Sequence, residues 1–123
     1  MNGNNIFLDT NIILYLLSGD QTVADLLHNK NIFISFITEL ELLGYKDIST
    51  EEVIQIERLL ADSSVIDINS EIKKIVIGLR KSYKINLPDA IIAASSYYLN
   101  LPFITADKEL SKLTELDILL YEK

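Results

Sequence analysis

Short apolar runs of strand length alternate with amphipathic helical segments along the whole 123-residue chain, and this alternation most constrains what it can fold into. Five runs read as strands: Ile6-Phe7-Leu8, Ile32-Phe33-Ile34, Val65-Ile66-Asp67-Ile68, Phe103-Ile104-Thr105 and Ile118-Leu119-Leu120. They are rich in Ile, Val and Phe, as parallel strands buried on both faces are. Between them, Ile72, Ile75, Val76, Leu79 and Tyr83 fall on one helical stripe, and Val53, Ile56, Leu59 and Leu60 on a second. Ala90 to Leu99 is apolar almost all round and reads as a central, buried helix. Asn86 caps its start, and Pro88 sits in its first turn, where a missing N–H costs nothing. Pro102 stops helix from continuing after Leu101. Strands alternating with helices place the chain in the α/β class with a parallel sheet. No repeat, low-complexity tract or linker interrupts the pattern, and the length suits one domain over 1–123.

At 49% hydrophobic the chain can bury a core without covalent staples. It has no cysteine, which excludes disulfides, thiolate metal sites and Cys nucleophiles. The opening MNGNNIFLDT lacks the basic and apolar stretches of a signal peptide. The run from Ile12 to Leu17 is broken by Ser18-Gly19-Asp20, too early for a membrane span. A cytoplasmic protein is expected.

Elimination narrows the chemistry. His28 is the single histidine, so a nuclease with two histidines as acid and base is excluded. It is expected on a surface turn of a helix from Val23 to Lys30. Gly3, Gly19, Gly44 and Gly78 are too scattered for a P-loop or a dinucleotide fingerprint, and no Gly-x-Ser-x-Gly elbow occurs. Acidic residues in particular places remain.

Asp9 follows the first strand and precedes a helix starting near Asn11; taken alone, it reads as a helix cap. Asp107 follows the fourth strand and could cap a helix from Lys108 to Leu113. Asp89 lies in the first turn of the most apolar helix, favourable to the helix dipole. Glu41 lies in Thr38-Glu39-Leu40-Glu41-Leu42-Leu43, where a solvated helix face is the plain alternative. Jointly the four say more. Open parallel sheets bind ligands beyond the carboxyl ends of their strands, where strand order switches. Asp9 and Asp107 stand at such ends, and Glu41 and Asp89 are expected at helix starts or first turns near the same edge. Converging carboxylates repel unless cations hold them. An all-oxygen donor set without Cys or His selects Mg²⁺ or Mn²⁺. Such a site suits phosphodiester hydrolysis. The net charge of −7 argues against generic nucleic-acid binding. With four acids assigned to a metal site, fourteen acids face eleven bases, and the remainder is −3.

At these residues the sequence resembles the PIN-domain nucleases, in particular toxins of the VapC type, over essentially its whole length. Ile6-Phe7-Leu8-Asp9-Thr10-Asn11 is similar to that family's opening strand, acid and turn. Ser35 to Gly44 resembles its second motif, with Glu41 rather than Glu39 as the acid. Leu87-Pro88-Asp89-Ala90-Ile91-Ile92-Ala93-Ala94 resembles the third, and Ile104-Thr105-Ala106-Asp107-Lys108-Glu109-Leu110 the fourth, with Leu110 where an aromatic is common. The resemblance implies a three-layer α/β/α fold around a five-stranded parallel sheet, with the first and fourth strands adjacent. It implies an Mg²⁺- or Mn²⁺-dependent endoribonuclease that leaves a 5′-phosphate and a 3′-hydroxyl. Asp9, Asp89 and Asp107 would ligate metal; Glu41 would orient a metal-bound water or hold a second ion. Asn11 and Thr105 would fix the carboxylates from behind; for Thr105, a strand residue with a satisfied hydroxyl is the alternative. An antitoxin partner and a homodimer are implied too.

Ile72 to Pro88 holds Lys73, Lys74, Arg80, Lys81 and Lys84 and no acid. On a helix, Lys73, Arg80 and Lys84 would share a face leading to Asp89 and could guide phosphates; an ordinary solvated face is the alternative. Tyr97 and Tyr98 are expected against the sheet, with base stacking as the other option. A haloacid-dehalogenase-like phosphatase needs an Asp where Asn11 stands. A response-regulator receiver needs an Asp ending the third strand, yet Asp67 lies inside its run. A non-catalytic PIN-like module commonly loses the acids, and all four are present. A PIN nuclease of RNA processing, outside any toxin–antitoxin pair, is the remaining alternative.

Overall fold

The computed structural model describes residues 3–123; residues 1 and 2, which the readings of one domain over 1–123 and of the N-terminal stretch include, lie outside the described residues. The strands are β1 (Asn5–Leu8), β2 (Asn31–Ser35), β3 (Ser64–Ile66), β4 (Phe103–Thr105) and β5 (Ile118–Leu120). The helices are α1 (Thr10–Leu17), α2 (Gln21–Leu27), α3 (Phe36–Leu43), α4 (Thr50–Ala61), α5 (Ser70–Ser82) and α6 (Leu87–Leu99), and a single 3-10 turn spans Leu110–Lys112. The strands form one sheet in the order β3-β2-β1-β4-β5. Every pairing is parallel, as expected.

Side-chain alternation divides the core into two layers. Phe7 and Phe103 point to one face, where they meet Ile72, Val76 and Leu79 of α5 and Ala90 to Ala94 of α6. Ile6, Leu8, Ile34 and Ile104 point to the other, against Ile12 and Ile13 of α1, Val23 and Leu27 of α2 and Ile56 of α4. The Phe7 and Phe103 rings meet edge to face, 6.0 Å between centroids. Each such buried side chain contributes about 1.5–3 kcal/mol by leaving water.

Local signals start the helices where the sheet needs them. Asp9, Asp20, Ser35, Ser49, Asn69 and Asn86 each accept a backbone N–H at the start of the helix that follows. After α6 the chain turns through Asn100 in the left-handed region, with φ 55°.

Four expectations need correction. The third strand ends at Ile66, so Asp67 and Ile68 lie outside it. At the sheet edge it pairs only with β2, and no second neighbour holds it extended. α2 stops at Leu27, and His28 is an exposed residue just beyond. No α-helix runs from Lys108 to Leu113; a turn and the 3-10 segment occupy that stretch. Tyr97 and Tyr98 do not pack against the sheet but stand 48% and 44% exposed. Burial in α6 ends at Ser96, one turn before the helix does.

Among the described residues no helix is long and apolar enough to cross a membrane.

Candidate active site

Strand order changes direction between β1 and β4: β2 and β3 lie on one side of β1, β4 and β5 on the other. A crevice forms beyond the carboxyl ends of two such strands because their crossover helices leave in opposite directions. Asp9 immediately follows β1, and Asp107 lies two residues beyond β4. From the flanking helices come Asp89, in the first turn of α6, and Glu41. Glu41 is not in a first turn as expected; it is the sixth residue of α3, and Glu39 holds the first-turn place.

Asp9, Glu41, Asp89 and Asp107 all line one cavity of about 470 Å³, together with Thr10, Asn11, Leu14, Leu42 and Tyr45. No Lys, Arg or His among the described residues lines it. Asp9 is the most enclosed of the four, 5% exposed. Its Oδ1 accepts the Thr10 N–H at 2.8 Å, and its Oδ2 accepts the Thr105 hydroxyl at 2.6 Å. Thr105 is fully buried and also accepts the Asp107 N–H at 3.0 Å. One hydroxyl thus ties the first acid to the backbone of the fourth. Asp107 Oδ1 accepts the Glu109 N–H at 2.9 Å.

Glu41 has its own support. The Thr10 hydroxyl donates to Glu41 Oε1 at 2.7 Å. It also lies 2.9 Å from the Thr38 hydroxyl. Thr10 has one hydroxyl proton and the carboxylate takes it, so buried Thr38 donates to Thr10. This relay was missed by sequence reasoning; the only signal was Thr10 beside Asp9 in the first motif. Asn11, expected behind the carboxylates, lines the cavity as an exposed residue. Among the described residues its side chain makes no hydrogen bond to the four acids.

The acids strain against one another. Burial raises the Asp9 carboxyl above the ordinary 3.8, offset by Thr105 and Thr10, and the charges of Asp89 and Asp107 raise it further. Burial likewise raises Asp89, partly offset by Asn86, with Asp107 and Glu41 adding to the rise. A cation beside them would favour the charged form of both carboxyls. As they stand, no three acids among the described residues close around one point in a way that would hold an ion. Ligation would require them to draw together.

The basic residues divide. α5 ends at Ser82, so Lys84 does not share a helical face with Lys73 and Arg80. Lys84 instead lines a second cavity, of about 370 Å³, with Tyr83, Asn86 and Lys112. That cavity shares Asp89 and Asp107 with the acidic one. Lys73 and Arg80 are exposed on α5 and line neither.

No curated protein matches the chain. Among solved structures it is similar to a chain of a toxin–antitoxin complex from Klebsiella pneumoniae, at 29% identity and a TM-score of 0.82, covering 96% of this chain and 99% of that one. VapBC-1 from nontypeable Haemophilus influenzae matches at 29% identity and 0.76, over 94% and 97%. VapBC2 from Rickettsia felis, bound to a DNA fragment from its promoter, shares the fold at 20% identity and 0.85, over 96% and 99%. The family model of the PIN domain matches residues 6–116. With the sheet order and this match in agreement, the chain belongs to the PIN domain family of nucleases.

Proposed function

We propose that the chain is a single-domain endoribonuclease dependent on Mg²⁺ or Mn²⁺, and the cytoplasmic toxin of a toxin–antitoxin pair. The observation that carries the nuclease reading is the cavity that four carboxylates and, among the described residues, no basic side chain line. Its donor set is all oxygen, and burial, with the charge of neighbouring acids, raises the carboxyls of Asp9 and Asp89. Both features fit a hard divalent cation. The toxin reading rests on the VapBC and other toxin–antitoxin structures that the chain resembles at 29% identity.

Asp9, Asp89 and Asp107 would hold the ion. When bound, it would lower the pKa of an attacking water and offset charge as the phosphodiester breaks. Thr105 and the Thr10 N–H keep both oxygens of Asp9 in fixed directions. Glu41, with Oε1 tied to Thr10, would accept a proton from the attacking water at Oε2. Asn11 would contact that water or the substrate directly. Lys84 would draw a substrate phosphate across Asp89 and Asp107 into the site, with Lys73 and Arg80 providing a weaker attraction along α5. A protein antitoxin would cover the site with a cationic side chain among the acids, and the toxin would act as a homodimer.

Cleavage of RNA with Mg²⁺ or Mn²⁺, with and without EDTA, tests the reading in wild type and Asp9→Asn. Cutting that needs metal and is lost in Asp9→Asn is expected. Cutting that survives Asp9→Asn removes Asp9 from the site, and no cutting of any RNA removes the enzyme. Co-expression with the product of a neighbouring reading frame tests the toxin: growth arrest by this chain alone, relieved by the second protein, is expected.

A further inference from the structure

Tyr45 is the one aromatic side chain lining the acidic cavity among the described residues. The residue is 42% exposed and belongs to neither core cluster, yet its side chain is held at both ends. At the backbone end, Gly44 closes α3 by donating its N–H to the Leu40 carbonyl at 2.9 Å. A Cβ at Gly44 would lie 2.6 Å from that oxygen, so the tight exit that places Tyr45 beside the cavity requires glycine. At the far end, the Tyr45 hydroxyl donates to Glu52 Oε2. Glu52 is itself fixed: its Oε1 accepts the Ser49 N–H at 3.0 Å, and its own N–H reaches Ser49 Oγ at 3.1 Å, the capping box of α4. Leu14, 44% exposed, lines the acidic cavity and also the groove that Tyr45 shares with Glu52 and Ile56.

The core does not need this ring, and the fold nevertheless restrains it. An aromatic with its rotamer already set loses little entropy when a flat ligand settles on it. Besides Leu14 and other uncharged side chains, the cavity holds four acids, which repel phosphate but not the face of an uncharged base.

We propose that Tyr45, with Leu14 beside it, is a stacking platform for the nucleobase adjoining the phosphodiester cut in the acidic cavity; this rests on the nuclease reading of that cavity. It gives the site a way to grip the uncharged part of a strand where its acids cannot grip the backbone. Tyr45 would set which base is favoured next to the cut, because larger bases cover more of the ring.

The test uses a short single-stranded RNA that the wild-type protein cuts at one position, with an abasic nucleotide placed in turn on each side of the cut. At one position the abasic RNA should lower wild-type kcat/KM about 5- to 150-fold, the range of base–aromatic stacking. Tyr45→Ala should show a similar loss on intact RNA and no further loss at that abasic position. Tyr45→Phe should keep most of the wild-type preference, because the ring remains. The proposal is overturned if no abasic position affects wild type, a result that needs no variant to fold. It is also overturned if Tyr45→Ala keeps the full abasic penalty, or cuts RNA normally while losing only a protein partner. A wild-type protein that cuts no single-stranded nucleic acid overturns the nuclease reading itself, and the platform with it.

Discussion

Thr105 donates its hydroxyl proton to Asp9 across 96 residues of sequence, at 2.6 Å and out of contact with solvent. The bond joins the ends of β1 and β4, the two strands between which the sheet changes direction. It stabilises the charged form of a carboxylate that burial and neighbouring acids disfavour. Thr105→Val keeps the shape and removes both the donor to Asp9 and the acceptor of the Asp107 N–H. A hydrogen bond to a charged group contributes about 1.5–3 kcal/mol, and stability should fall by that order. Activity should fall further, because Asp9 loses its fixed direction, and Thr105→Ser should restore most of both. Urea unfolding and cleavage kinetics on the three proteins check this; full activity in Thr105→Val would free Asp9 from the positioning role.

The acid cluster should make the metal-free protein less stable at neutral pH than in weak acid. Asp9 and Asp89 have folded-state carboxyls raised above 3.8. The native state therefore binds protons more tightly than the unfolded chain, and stability rises as pH falls through the raised values. Asp20, Glu52 and Glu115 are lowered, mainly by hydrogen bonds, so their contribution is lost as pH falls below the ordinary range. Tm should thus pass through a maximum in weak acid. Asp89→Asn should raise Tm at pH 7 and flatten the neutral side of the maximum, leaving the acid side, set by Asp20, Glu52 and Glu115, in place. Mg²⁺ or Mn²⁺ should raise wild-type Tm at pH 7, by an equivalent of about 2.7 kcal/mol at a hundred times Kd, and should do little for Asp89→Asn. Melting curves from pH 4 to 8, with EDTA or metal, decide it.

Much of this was legible in sequence because it is local. Phe7, Ile34 and Phe103 sit in central strands buried on both faces, where apolar runs have no other explanation. Asn86 and Pro88 marked the start of α6 within a residue. The misreadings occur where tertiary context decides. Val65 to Ile68 looks like a full strand, but only one neighbour pairs with it, and the edge releases its last two residues. Tyr97 and Tyr98 continue an apolar run, yet α6 outlasts the layer that buries it. Lys84 looked helical by spacing, but the helix ends before it and delivers it to the cavity instead. The positions of Asp9 and Asp107 were legible because strand ends are local signals. The Thr10–Glu41–Thr38 relay was not, because its partners are 28 and 31 residues apart.

That relay separates Glu41 from Glu39. Glu41 lines the acidic cavity and is oriented by Thr10. Glu39 does not line it and has the first-turn position on α3. If Glu41 takes a proton from the attacking water, Glu41→Gln should lower kcat about 10²- to 10⁴-fold, the usual range for a general base. KM should change far less. Glu39→Gln should stay within a few-fold of wild type. Thr10→Val should reproduce part of the Glu41→Gln loss while leaving Glu41 present. Single-turnover kinetics on these proteins check it, and equal losses in Glu39→Gln and Glu41→Gln would remove the distinction.

Lys84 and Lys73 should behave differently although both are exposed lysines of the same basic stretch. Lys84 lines the cavity that continues from the acidic one through Asp89 and Asp107. Lys112, the other cation there, is already paired with Glu109 at 2.7 Å. Among the described residues no acid lies within ion-pair distance of Lys84, so its charge is available to a phosphate. Each phosphate neutralised on a single strand contributes about 0.7 to the slope of log affinity against log salt. Binding of a single-stranded RNA to the Asp9→Asn protein, followed by anisotropy over a salt series, reads that slope directly. Lys84→Ala should weaken binding and reduce the slope by about 0.7. Lys84→Arg should keep it, and Lys73→Ala should change it little. A slope unchanged in Lys84→Ala would mean that the strand does not cross the Asp89–Asp107 ridge on that side.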